Sequence, residues 1–206
     1  MTARNLKTKL TSGFTLVELL IVIGLLGAIA LIVIAAINPI EQANRARDTR
    51  FRADGGQLIS AIDRYFAARS EFPWMTEDST NYPSVETAFG FVEGGNPLVG
   101  ICGDAPDCAT DGALITNDEL KTEFRSRDWA SDYSSGAETL WIGKAGTTSS
   151  SIYACFIPLS NSERQEAIQQ ENVYSLGTDG TREQTTSCDA DTADWSETGC
   201  YVCIPE

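Results

Sequence analysis

Gly13-Phe14-Thr15-Leu16-Val17-Glu18 opens a run that continues through Leu19-Leu20-Ile21-Val22-Ile23-Gly24 to Ile37, and this run decides how the rest of the chain is read. From Phe14 to Ile37 there are 24 residues, and Glu18 is the one charged side chain among them. At about 1.5 Å per residue, a helix of that length crosses the ~30 Å hydrocarbon core of a bilayer. A carboxylate at mid-membrane costs at least about 2.5–3.5 kcal/mol, and less near an end, where Glu18 sits. Glu18 therefore reads as functional and in need of a partner, and none of the next 19 residues supplies one. Cleavage after Gly13 would create it. Phe14 would gain an α-ammonium group, ordinarily titrating near about 7.7–8.0, one helical turn from the carboxylate.

These six residues, preceded by a short basic leader, closely resemble the prepilin cleavage and methylation signal of type IV pilins and pseudopilins. The resemblance covers Lys7 to about Trp74 well and the remainder only in style. It implies that a prepilin peptidase cuts between Gly13 and Phe14 and N-methylates Phe14. It also implies that Glu18 pairs with the N-terminus of a neighbouring subunit during fibre assembly. The implied fold is α+β and pilin-like: a long N-terminal helix, transmembrane then amphipathic, packed on a small antiparallel β-sheet head. The expected division is a leader over 1–13 that is removed, a transmembrane and assembly helix over 14–37, its amphipathic continuation over 38–70, and a disulfide-bearing head over 71–206.

Outward from the run on its N-terminal side, Arg4, Lys7 and Lys9 stand without an acid, as in a cytoplasmic flank under the positive-inside rule. A secretory signal peptide also starts basic, but its apolar region spans only about 7–15 residues and its cut follows that region. Here the expected cut precedes the apolar stretch, so the mature chain keeps it. Arg45, Arg47, Arg50 and Arg52 on the other side leave the orientation open by charge alone. Cys102, Cys108, Cys155, Cys188, Cys200 and Cys203 all follow the run, and an even count of cysteines suits an oxidising compartment. The C-terminal part is therefore expected outside the cytoplasm, on a single-pass anchor in the inner membrane before assembly and in an extracellular or periplasmic filament afterwards.

Within the run, Gly24 and Ala28 form a small-xxx-small pair that suits close helix approach in an apolar medium, although both residues are common in membrane helices. Asn38-Pro39 interrupts the helix, since proline lacks the N–H and biases the preceding residue away from helical geometry. Beyond it, Leu58, Ile62, Tyr65 and Phe66 recur at helical spacing and give one apolar face. Gly55-Gly56 reads as a weak point and a bend. The arginines from Arg45 to Arg52 read as a solvated, salt-bridged face, with acids of neighbouring subunits or lipid phosphates as alternative partners. Loss of the three leader bases takes the net charge from −14 to −17, which repels nucleic acid at long range, so no direct nucleic-acid contact is expected.

Glu71-Phe72-Pro73-Trp74 ends the helix. Residues 75–135 are rich in turn formers, with a short helix expected over 117–127 capped by Thr116 or Asn117. From about Thr139 the pattern becomes β. Thr139–Ala145, Ser151–Leu159, Asn172–Leu176 and Cys200–Ile204 are expected as a sheet of three or four strands, with a hairpin loop over 146–150. Cys102 and Cys108 enclose five residues containing Gly, Asp and Pro, which suits a local disulfide. The loop between Cys188 and Cys200 resembles the disulfide-bounded loop of many pilins, which would leave Cys155 with Cys203, one of 15 pairings. Asp189, Asp191, Asp194 and Glu197 read as a solvated acidic loop. Calcium is the alternative, as in major pseudopilins, although the EF-hand glycine and terminal glutamate are missing.

Three function classes follow. The resemblance implies a structural subunit of a type IV pilus-like filament, assembling with other pilin subunits, prepilin peptidase, the inner-membrane assembly machinery and membrane lipid. The alternatives are a pseudopilin of a type II secretion system and a membrane-anchored binding module. No enzyme is expected. The chain has no histidine, and neither a phosphate-binding glycine loop nor a metal-ligand cluster stands in the sequence, so no cofactor is expected apart from the calcium alternative.

Overall fold

A computed structural model describes residues 13–36, 38–77, 88–131, 136–147, 149–191 and 195–205. The chain divides into two units, Met1–Ile40 and Glu41–Glu206. The first holds helix α1 (Leu16–Ala36), whose described side chains are exposed throughout. Over Leu16–Ile34 it is long and apolar enough to cross a membrane. Leu, Ile and Val on every side leave no polar face to turn towards water, and such a helix belongs in an apolar medium. The expected leader bases lie outside the described residues.

The second unit is built on α2 (Pro39–Arg69) from Glu41 onward, and the helix takes Pro39 into its first turn, where no intrahelical N–H is needed. Phe51, Gly55, Leu58, Ile62 and Tyr65 are buried, spaced alternately by four and three residues, and form the stripe that meets the sheet. The expected bend at Gly55-Gly56 does not occur, and α2 runs unbroken through both residues. Gly55 instead serves close packing. A Cβ there would lie 3.1 Å from Ala154 Cβ and 3.1 Å from Ile204 Cδ1, so its absence lets the helix settle onto the strands.

The sheet has four antiparallel strands in the order β1-β2-β3-β6: β1 (Phe89–Glu93), β2 (Leu140–Lys144), β3 (Ile152–Phe156) and β6 (Val202–Ile204). The hairpin of β2 and β3 is as expected. The fourth strand is not. It comes from Phe89–Glu93, inside the stretch read as turns, whereas the Asn172–Leu176 run supplies β4 (Tyr174–Leu176) of a separate hairpin with β5 (Arg182–Gln184). That hairpin covers the face of the sheet away from α2. Arg182 lies 4.0 Å over the Tyr153 ring and 4.1 Å over the Tyr174 ring, and Tyr174 bridges to Tyr201. The expected helix over 117–127 is also corrected. Asn117 ends a short Ala113–Thr116 helix, and a 3₁₀ turn over Thr122–Ser126 follows it.

The core fills the space between α2 and the sheet. Phe66, Phe72, Trp74 and Phe89 stack in sequence, with ring centroids 4.4, 4.5 and 4.3 Å apart, and carry the chain from the end of α2 into β1. Cys102–Cys108, Cys155–Cys203 and Cys188–Cys200 are bonded, the pairs favoured above. Cys155 faces Cys203 directly across β3 and β6, and both are buried.

The arginines of α2 are salt-bridged as expected, Arg45 and Arg50 on the exposed face, whereas Arg47 and Arg52 turn into the unit. Arg47 donates to the Ile157 carbonyl at 2.8 Å and to Asp48 at 2.9 Å, and it lies 3.9 Å over the Phe51 ring. Arg50 pairs with Asp128 at 2.9 Å, and Arg52 Nε donates to Glu163 at 2.7 Å. Asp48 is buried and accepts from the backbone N–H groups of Leu159 and Ser160 at 3.1 and 2.8 Å. Asp54, also buried, accepts from Trp129 Nε1 at 3.0 Å and pairs with Arg127 at 3.4 Å.

Glu41 accepts from the N–H groups of Asn161 and Ser162, the first residues of the Asn161–Gln169 helix. Burial pushes this carboxyl up, but those N–H groups and Arg45 pull it further down, below the ordinary carboxylate value. A depressed pKa contributes stability that is present above the unfolded value, about 4.3–4.5, and lost as pH falls through the folded one. Glu41→Gln should therefore lower the thermal midpoint at neutral pH, and the gap from the native chain should close as pH drops below about 4.3.

Candidate processing and assembly site

The candidate site begins where α1 begins. Thr15 is the last residue before the helix, and Glu18 is the third within it. Glu18 N–H donates to Thr15 Oγ1 at 3.2 Å. In return the Glu18 carboxylate accepts from Thr15 N–H at 2.9 Å and from the Thr15 hydroxyl at 2.8 Å. This is a reciprocal capping box, which satisfies donors that the first helical turn otherwise leaves unpaired. Within one chain, then, Glu18 has a neutral partner. The Thr-x-x-Glu spacing of Thr15 and Glu18 is the sequence signature of this cap, and it stands beside a charge that calls for an ion.

Helix geometry stops short of the junction it follows. Gly13, Phe14 and Thr15 lie outside the helix, and Phe14 is 84% exposed. Among the described residues, apart from its chain neighbours, none comes within 4 Å of where a Gly13 Cβ would stand. The Gly13–Phe14 peptide bond is therefore exposed and lies outside regular structure. Thr15 holds the Glu18 carboxylate at the helix start, beside the residue that would become the new N-terminus. What the site can do chemically is therefore modest and specific. It can present one peptide bond and one fixed carboxylate at the tip of an apolar rod.

The other candidate residues lie elsewhere. Asp191 N–H donates to Asp189 Oδ1 at 3.1 Å, and Asn161 Nδ2 donates to Asp191 Oδ1 at 3.3 Å. Asp194 lies outside the described residues. Among the described residues no group of three His, Cys, Asp or Glu side chains is placed to hold a metal ion. The Asp189–Asp191 turn is thus tied to the start of the Asn161–Gln169 helix, and the Cys188–Cys200 bond closes the segment behind it.

These features define an α+β protein with an exposed N-terminal apolar helix and a small antiparallel sheet stapled by disulfides. No family model, curated protein or solved structure matches the chain.

Proposed function

We propose that this chain is a structural subunit of a type IV pilus-like filament. A prepilin peptidase cuts it between Gly13 and Phe14 and methylates Phe14. The mature helix then assembles with its neighbours while the disulfide-bonded head faces outward from the inner membrane. The observation that carries this reading is the exposed Gly13–Phe14 bond beside a helix that is apolar except for Glu18. A membrane anchor needs no carboxylate there, and an assembly helix can use one to take up a neighbour's terminal ammonium in a medium where unpaired charge is costly.

The capping box makes the test sharp. Glu18→Gln keeps an oxygen that can accept from Thr15 and removes the charge, whereas Thr15→Val weakens the cap and keeps the charge. Filaments sheared from cells should be lost with Glu18→Gln, and Thr15→Val should retain most of them, with both chains present in the membrane. The opposite order would assign Glu18 to helix capping alone.

A further inference from the structure

The side of α2 turned away from the sheet is indented. By the 3.6-residue period, Ala53, Gln57 and Ser60 lie opposite the Phe51-Leu58-Ile62 stripe. With Gly56 they floor a groove of about 790 Å³, whose far wall includes Lys121, Phe124 and Arg127. The small floor residues leave the helix backbone approachable. Of the cations around the groove, Arg52 pairs with Glu163, Arg64 with Glu119 and Arg127 with Asp54, which leaves Lys121 as the groove cation without an ion-pair partner among the described residues, in a chain whose net charge is −14. The wall is held in place, since Arg64 binds Glu119 at 2.9 Å and Arg127 reaches Asp54. Lys121 is exposed.

The opposite side of the same unit is acidic. α2 packs on one face of the sheet, through Ala154 and Phe156, and the β4–β5 hairpin packs on the other, through Tyr153. On β5, Arg182 points back to the sheet, so the alternation of strand side chains turns its neighbour Glu183 outward, and Glu183 is exposed. Glu171 and Asp179, at the ends of the hairpin, are exposed as well.

We propose that the α2 groove of one copy receives the Glu183 side of the hairpin of the next, with Lys121 facing Glu183. Copies this acidic repel one another at long range, and the exposed Lys121 is a point at which an acidic copy gains on approach. Because the two surfaces lie on opposite sides of the head, the contact is head-to-tail and propagates as a helical array when its rotation does not close. The inference rests on the filament reading above and specifies which faces of the heads meet.

Beyond Gly13 the chain has only two lysines, Lys121 and the buried Lys144, so Lys121 is a nearly unique amine probe. The test treats filaments assembled from mixed unlabelled and isotope-labelled full-length chains with a carbodiimide. The reagent joins an amine to a contacting carboxylate as an amide and takes up the lost water as a urea. A Lys121–Glu183 linked peptide of mixed isotope is expected, absent from Lys121→Arg. Lys121→Glu and Glu183→Lys should each lower filament yield about fivefold, and the pair together should restore both yield and linkage. If Lys121 links to another carboxylate, to another protein or to nothing in filaments whose chains start at methylated Phe14, the contact is overturned and the filament reading stands. Chains left uncut at Gly13 overturn both.

Discussion

Asp48→Ala should lower the stability of the head by about 3–5 kcal/mol, the range for breaking a buried charge network from one side. Asp48 is 1% exposed and receives Leu159 N–H, Ser160 N–H and Arg47 Nη1 together. Alanine leaves two buried backbone donors without their acceptor and takes the neighbouring carboxylate from Arg47, which keeps the Ile157 carbonyl. The segment they belong to joins β3 to the Asn161–Gln169 helix, so its loosening should expose the end of the sheet. Buried Trp74, Trp129 and Trp195 give the readout, as a shift in the fluorescence midpoint of the full chain in detergent with rising denaturant. Arg45→Ala is the control. It removes an exposed ion pair with Glu41 and should cost no more than about 1 kcal/mol. Equal midpoints for the two variants would remove Asp48 from the account of what holds the head together.

Removing the Cys155–Cys203 bond by paired substitution to alanine should cost about 4 kcal/mol, from the loop entropy that a 48-residue separation returns to the unfolded chain. The bond ties β3 to the edge strand β6, which contributes only three residues to the sheet. The same change at Cys102 and Cys108, six residues apart, should cost distinctly less. Thermal midpoints of the three chains under oxidising conditions should therefore fall in the order native, Cys102/Cys108 variant, Cys155/Cys203 variant. A reversal of the last two would place the stabilisation in local loop packing rather than in chain connectivity.

Much of this architecture could be read from residue patterns, and the failures share a cause. Uninterrupted Leu, Ile and Val gave α1, helical spacing gave the Leu58-Ile62-Tyr65 stripe, and aromatic and β-branched runs gave β2 and β3. β1 escaped because Phe89-Gly90-Phe91-Val92-Glu93 is five residues long and stands just before Gly94-Gly95-Asn96-Pro97. The pairing of Phe89 with Lys144, Val92 with Ile142 and Glu93 with Trp141, a long-range event, makes it a strand. Phe51 was hidden between Arg50 and Arg52. Asp48 and Asp54 were hidden by their own charge, since an acid on a helix reads as a surface residue until the donors from distant segments are known. Gly55 read as a weakness because a residue lacking Cβ discloses nothing of the strand that will approach it. At the candidate site, the Gly13–Phe14 junction and Glu18 are legible from charge and hydropathy, whereas the neutral partner Thr15 is one polar residue among apolar ones.

The proposed filament role requires that the chain be processed as a prepilin. Intact-mass measurement with N-terminal sequencing, on protein recovered from its own membranes, addresses this requirement most directly. A chain that starts at Phe14 and carries one added methyl group is expected. A chain that still starts at Met1, in cells whose other prepilins are cut, would contradict it.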